Sequence, residues 1–171
     1  SAASDVYKRQ ADEFSRTEGG FSRFNFDVNH VSKLSKVTQF YIFAHGQLAN
    51  RNLDSSEQFY LGGADAVRAY PQGEAGGDSG YQATAELRYQ TPVKGMSMTL
   101  FADVGEVLAR KDGDTSDPHR RLAGWGIGAV YSLDRSLYAR LDYARKIKGE
   151  SYRSEAEDKN GRLWFRLYKL F

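Results

Sequence analysis

From residue 21 onward the chain alternates apolar and polar positions with a period of two. Phe24, Phe26 and Val28 face one way, and Asn25, Asp27 and Asn29 the other. After a break at Ser35 and Lys36, Phe40, Ile42, Ala44, Gly46 and Leu48 alternate with Gln39, Tyr41, Phe43, His45 and Gln47. Tyr81, Ala83, Ala85, Leu87 and Tyr89 then alternate with Gln82, Thr84, Glu86 and Arg88. Past a turn at 91–95, Met98, Leu100, Ala102 and Val104 oppose Thr99, Phe101, Asp103 and Gly105. Trp125, Ile127 and Ala129 alternate with Gly124, Gly126 and Gly128. A turn at 132–135 leads to Leu137, Ala139, Leu141 and Tyr143, set against Tyr138, Arg140 and Asp142. Leu163, Phe165 and Leu167 close the series against Arg162, Trp164 and Arg166. Strict alternation predicts sheet with one apolar face, in seven strands.

Each strand runs about ten residues, against about 5–6 in soluble sheets. The longer figure matches the ~9–11 residues that a tilted strand needs to cross a bilayer. The connections alternate short and long, with long loops at 50–79, 108–120 and 148–160. Short turns on one side and long loops on the other are the pattern of outer-membrane barrels. Tyr81, Tyr89, Tyr131, Tyr143 and Phe171 lie near strand ends, where an interfacial girdle would sit. A soluble sandwich would explain the alternation, but not the strand length, the loop asymmetry or the charges recurring in mid-strand. The fold predicted is all-β, a transmembrane antiparallel β-barrel. Seven strands cannot close alone, because bacterial barrels have even strand numbers and no open edges. The chain is therefore expected to be the C-terminal part of a larger barrel.

One stretch breaks the pattern. Residues 59–78, FYLGGADAVRAYPQGEAGGD, show neither alternation nor helical period and hold five glycines. They are expected to lack regular structure. A disordered tract would be poor in aromatic and branched residues. Phe59, Tyr60, Leu61, Val67 and Tyr70 favour an ordered loop instead, with Gly62, Gly63 and Gly73 allowing tight turns. Arg68 is its one basic residue. If the loop enters the barrel lumen, Arg68 needs a carboxylate. Asp103 is the preferred partner, mid-strand on the polar face, with Phe101 and Gly105 leaving room. Glu86, Arg88, Arg140, Asp142, Arg162 and Arg166 also lie on that wall. A solvated surface charge is the other reading of Arg68.

Composition narrows the functions. The net charge of +2 is spread along the length and leaves no nucleic-acid footprint. There are no cysteines, and His30, His45 and His119 share no ligand spacing, so neither a thiolate nor a zinc site is expected. No cofactor is expected, since no GxxxxGK[ST] phosphate loop occurs. Mean hydropathy is −0.62, a value that alternating strands average down to. An outer-membrane lipase or protease would need a nucleophile beside a base. No strand sets Ser, His and an acid on one face, and no GxSxG elbow is present. Residues 1–10 have no apolar core and read as a non-native leader, leaving 11–171 as barrel.

The loop carries a resemblance. Leu61-Gly62-Gly63 with Val67-Arg68-Ala69-Tyr70-Pro71-Gln72-Gly73 is similar to the lumen-loop signature of two-partner secretion transporters. These are the TpsB, or ShlB-type haemolysin-activator, branch of the BamA-like superfamily. Asn52 to Glu57, Glu86-Leu87-Arg88-Tyr89, Phe101-Ala102-Asp103-Val104-Gly105 and the closing Gly161 to Phe165 resemble further motifs of that family, in order. One departure is Ala69, where the superfamily usually has glycine. The resemblance implies a sixteen-stranded barrel, of which these are the last seven strands, preceded by periplasmic POTRA domains. It implies that Arg68 contacts Asp103 and holds the loop in the pore. It implies export of a large exoprotein cargo (adhesin, haemolysin or contact-dependent toxin) across a Gram-negative outer membrane without nucleotide. Further partners would be outer-membrane lipid and the barrel-assembly machinery, which would read the terminal Phe171. A BamA-like insertase, which shares the loop arginine, is the alternative.

Overall fold

The computed structural model describes residues 22–108, 119–133, 136–147 and 160–169. Seven long strands make one sheet: β1 (Arg23–Lys33), β2 (Thr38–Ala49), β5 (Ser79–Gln90), β6 (Met96–Leu108), β7 (His119–Ser132), β8 (Leu137–Lys146) and β9 (Gly161–Lys169). Every neighbouring pair is antiparallel, and the order in the sheet follows the order in the chain. The strands run from 9 to 14 residues, enough to cross a bilayer at a tilt.

The faces are inverted relative to a soluble sheet. Leu100 and Val104 of β6, Trp125 and Ile127 of β7 and Leu163 and Phe165 of β9 are exposed. Thr99, Glu86, Asp103 and Asp142 on the opposite face are buried. A continuous exposed apolar face marks a surface that meets another apolar medium. Apolar side chains outside and buried polar ones inside are the arrangement of a membrane barrel, whose polar face lines the lumen.

The inner face is covered by the segment between β2 and β5. That segment is not wholly irregular, which corrects the sequence reading. β3 (Phe59–Leu61) and β4 (Ala75–Gly77) pair into a short antiparallel ribbon at its base. Three residues are too few for alternation to show, and Gly76 and Gly77 carry no side chain to pattern. A second correction concerns His119 and Arg120, which begin β7 opposite Leu108 and Val107 instead of ending a loop. The proposed leader at 1–10, most of the loops at 108–120 and 148–160, and Phe171 lie outside the described residues.

The buried apolar cluster sits between loop and wall. Leu61, Val67, Ala69 and Tyr70 of the loop pack with Phe101, Val107, Leu122 and Ala144 of β6, β7 and β8. Small wall residues make the approach possible. A Cβ added at Gly105 would lie 2.6 Å from Leu61 Cδ2, and one added at Gly124 2.6 Å from Ala69 Cβ.

Candidate functional site: the lumen loop and its ion-pair cluster

Above the β3–β4 ribbon the loop closes on itself. Gly63 N–H donates to Tyr70 C=O at 3.1 Å, and Tyr70 N–H to Val67 C=O at 3.1 Å. Gly62, Gly63 and Gly73 have φ of 89°, 114° and 70°, a region costly for other residues. Around this scaffold the chain presents Arg68 inward. Arg68 is only 3% exposed.

Three strands supply carboxylates to it. Arg68 Nη2 and Nε donate to the two oxygens of Asp103 on β6 at 2.7 and 2.8 Å. Such a forked pair is the strongest form of guanidinium–carboxylate contact. The backbone N–H of Arg68 also donates to Asp103 Oδ2 at 3.1 Å, and Thr84 Oγ1 donates to Oδ1 at 2.9 Å. Arg68 Nη1 donates to Glu86 Oε1 of β5 at 2.9 Å. It lies 3.8 Å from Asp142 Oδ1 of β8.

The carboxylates are shared with wall arginines. Arg140 donates to Glu86 at 2.9 Å and to Asp142 at 2.7 Å. Arg88 donates to Glu86 Oε2 at 2.8 Å, and Arg166 to Asp142 Oδ2 at 2.9 Å. Arg166 also pairs with Asp65 of the loop. Buried charges persist only when paired and hydrogen-bonded. Here positive and negative groups alternate across the wall, so each side chain has opposite charges as neighbours.

Two aromatic contacts complete the seat. The Phe101 ring lies under the guanidinium, with Arg68 Cζ 3.4 Å from its centroid. This corrects the reading that Phe101 leaves room: its ring is a platform, and Gly105 alone leaves space, taken by Leu61. Trp164 Nε1–H of β9 donates to the backbone C=O of Arg68 at 2.7 Å. Arg88, named from sequence among the wall partners, reaches Glu86 and stacks over Tyr41 rather than touching the loop arginine. A role for Trp164 was not apparent from sequence, because it sits 96 residues from its partner.

The arrangement joins the loop to four strands of the wall. It is a fastening. The loop is held in the lumen by a buried polar network whose partners come from β5, β6, β8 and β9.

The family model described as haemolysin secretion/activation protein ShlB/FhaC/HecB matches residues 5–131, well over half of the 171 residues. The chain belongs to this family. It is a family of two-partner secretion transporters, outer-membrane β-barrels, and not an enzyme class. Among curated relatives, the heme/hemopexin transporter protein HuxB of Haemophilus influenzae (strain 86-028NP) is 33% identical over 101 residues, covering 57% of this chain and 18% of its own length. The protein of the same name from a second strain of that species is 32% identical over 101 residues. The chain thus spans under a fifth of the length of these relatives. Among solved structures, CdiB from Acinetobacter baumannii superposes with a TM-score of 0.66 at 21% identity, over 87% of this chain and 27% of that one. That likeness shows the barrel fold.

Proposed function

We propose that this chain is the C-terminal part of an outer-membrane pore that exports a large exoprotein from periplasm to cell surface by two-partner secretion. The observation that carries the reading is the buried seat of Arg68. A loop held inside the lumen by a charge cluster suits a conduit that must be closed at rest and open when its passenger arrives. In this reading the whole barrel has sixteen strands, follows POTRA domains and lies in the outer membrane of a Gram-negative bacterium. Phe171 is the signal to the barrel-assembly machinery. Export proceeds without nucleotide, driven by folding of the passenger outside. The passenger is of the adhesin, haemolysin or contact-dependent toxin type. The relative named for heme and hemopexin widens the range of passengers worth testing.

The test is secretion of the cognate exoprotein by the full-length barrel carrying Arg68→Asp, Asp103→Arg or both. Each single change places like charges together in a buried site, a loss of about 3–5 kcal/mol. Secretion is expected to fail in both singles while heat-modifiable migration shows a folded barrel. The double is expected to recover only in part, because an aspartate at 68 still faces Glu86 and Asp142. Normal secretion by Arg68→Asp would overturn the reading.

A further inference from the structure

Arg68 is gripped at both ends of its backbone. Asp103 on β6 takes its N–H, and Trp164 on β9 donates to its C=O. Those two strands are not neighbours, since β7 and β8 lie between them in the sheet. Arg166 of β9 adds a second tie to the loop through Asp65. The loop therefore crosses the lumen face as a strut, with β6 at one foot and β9 at the other.

The far foot stands on an unusual strand. Among the described residues β9 has β8 as its one strand neighbour in the sheet. A barrel in lipid leaves no strand edge open, so the outer edge of β9 takes a partner from outside the described residues. Besides its ladder to β8, β9 has the loop as a second support within the chain. Removing Trp164 from the Arg68 carbonyl would leave a buried acceptor unmet, so the loop and the strand favour each other's placement.

We propose that Trp164 and Arg166 are positioning residues through which the lumen loop braces β9 against β6, so that withdrawing the loop loosens β9 along its outer edge. The coupling is reciprocal: whatever loosens β9 weakens the seat of the loop by the same factor.

The test is amide hydrogen exchange of residues 161–169 in the full-length protein, with no passenger present. Trp164→Phe keeps an aromatic ring, smaller than the indole, and has no N–H to donate. Asp103→Asn frees the loop at the opposite foot, leaving β9 itself untouched. Both are expected to speed exchange in β9 about five- to tenfold, the size of one buried hydrogen bond, with β1 unchanged. If Asp103 acted only locally, Asp103→Asn would affect β5 to β7 and leave β9 at its wild-type rate. Asp65→Asn, at an exposed loop position, folds regardless and is expected to speed β9 exchange about two- to threefold, as suits a partly exposed ion pair. Wild-type exchange in β9 for Asp103→Asn and Asp65→Asn would overturn the proposal. The measurement needs no export, so its outcome is independent of whether Arg68→Asp still secretes.

Discussion

Ala69 and Gly124 share the space of a single side chain: a Cβ placed on Gly124 would stand 2.6 Å from the Cβ of Ala69. Real Cβ atoms do not approach so closely, and neither group can swing aside. One of the pair can carry a methyl group. The loop carries that methyl group at Ala69, and the wall opposite it is glycine.

Gly124→Ala is accordingly expected to lift the loop from its seat, at about 1–3 kcal/mol for an overpacked contact. Ala69→Gly should be mild by itself and should rescue Gly124→Ala. The temperature of the heat-modifiable transition measures both. An additive double mutant would show that the two residues do not compete for one space.

Glu86 and Glu106 make opposite predictions from similar bonds. Glu86 is buried and accepts from Arg68, Arg88 and Arg140. Glu106 pairs near the rim with Arg121 and His119, both well exposed. Glu86→Gln leaves three guanidinium groups without their shared carboxylate and is expected to cost about 3–5 kcal/mol. Glu106→Gln is expected to cost below about 1 kcal/mol and less still at high salt. Urea midpoints of the two variants in micelles, at low and high salt, decide the matter. Equal losses would contradict the burial argument.

The Phe101 platform is testable without touching a charge. Phe101→Leu keeps an apolar side chain but removes the ring face under Arg68. The loss expected is about 2 kcal/mol, since the contact is desolvated. Phe101→Tyr should not be neutral either, because the ring tip already fills the space over Gly126. Protease sensitivity of the loop, with barrel folding followed in parallel, gives the readout. An unchanged loop in Phe101→Leu would mean that the carboxylates suffice.

Gly73 is kept by conformation and not by crowding. Its φ is 70°, and a Cβ there would meet nothing within 4 Å. Gly73→Asn is expected to be nearly silent, because asparagine tolerates the left-handed region. Gly73→Val should cost about 2 kcal/mol or more, as branched side chains do not. Loop protection against protease in the two variants would show whether shape or space governs the position.

Much of the architecture was legible in the chain itself. Alternation is a local property, so a period of two marks which side chains share a face before any strand has a neighbour. Strand length then separates a membrane wall from a soluble sheet, and the seven long strands and their inverted faces follow from those two observations. The aromatic and branched residues among the loop's glycines indicated order, and the glycines its tight turns. Arg68 could be named because it is the loop's one basic residue, and Asp103 because it stands mid-strand on the polar face.

Tertiary structure alone decided how the loop is held. Which wall side chains converge on Arg68 depends on the registers of β5, β6, β8 and β9 together, and register across several ladders is not written in any one strand. That is why Glu86 and Asp142 join Asp103 at one guanidinium, why Phe101 is a platform, and why Trp164 meets a carbonyl 96 residues away. The sequence by itself determined that there is a wall and a loop to fill it; only the fold, by bringing distant strands within hydrogen-bonding reach, determined what holds the loop there.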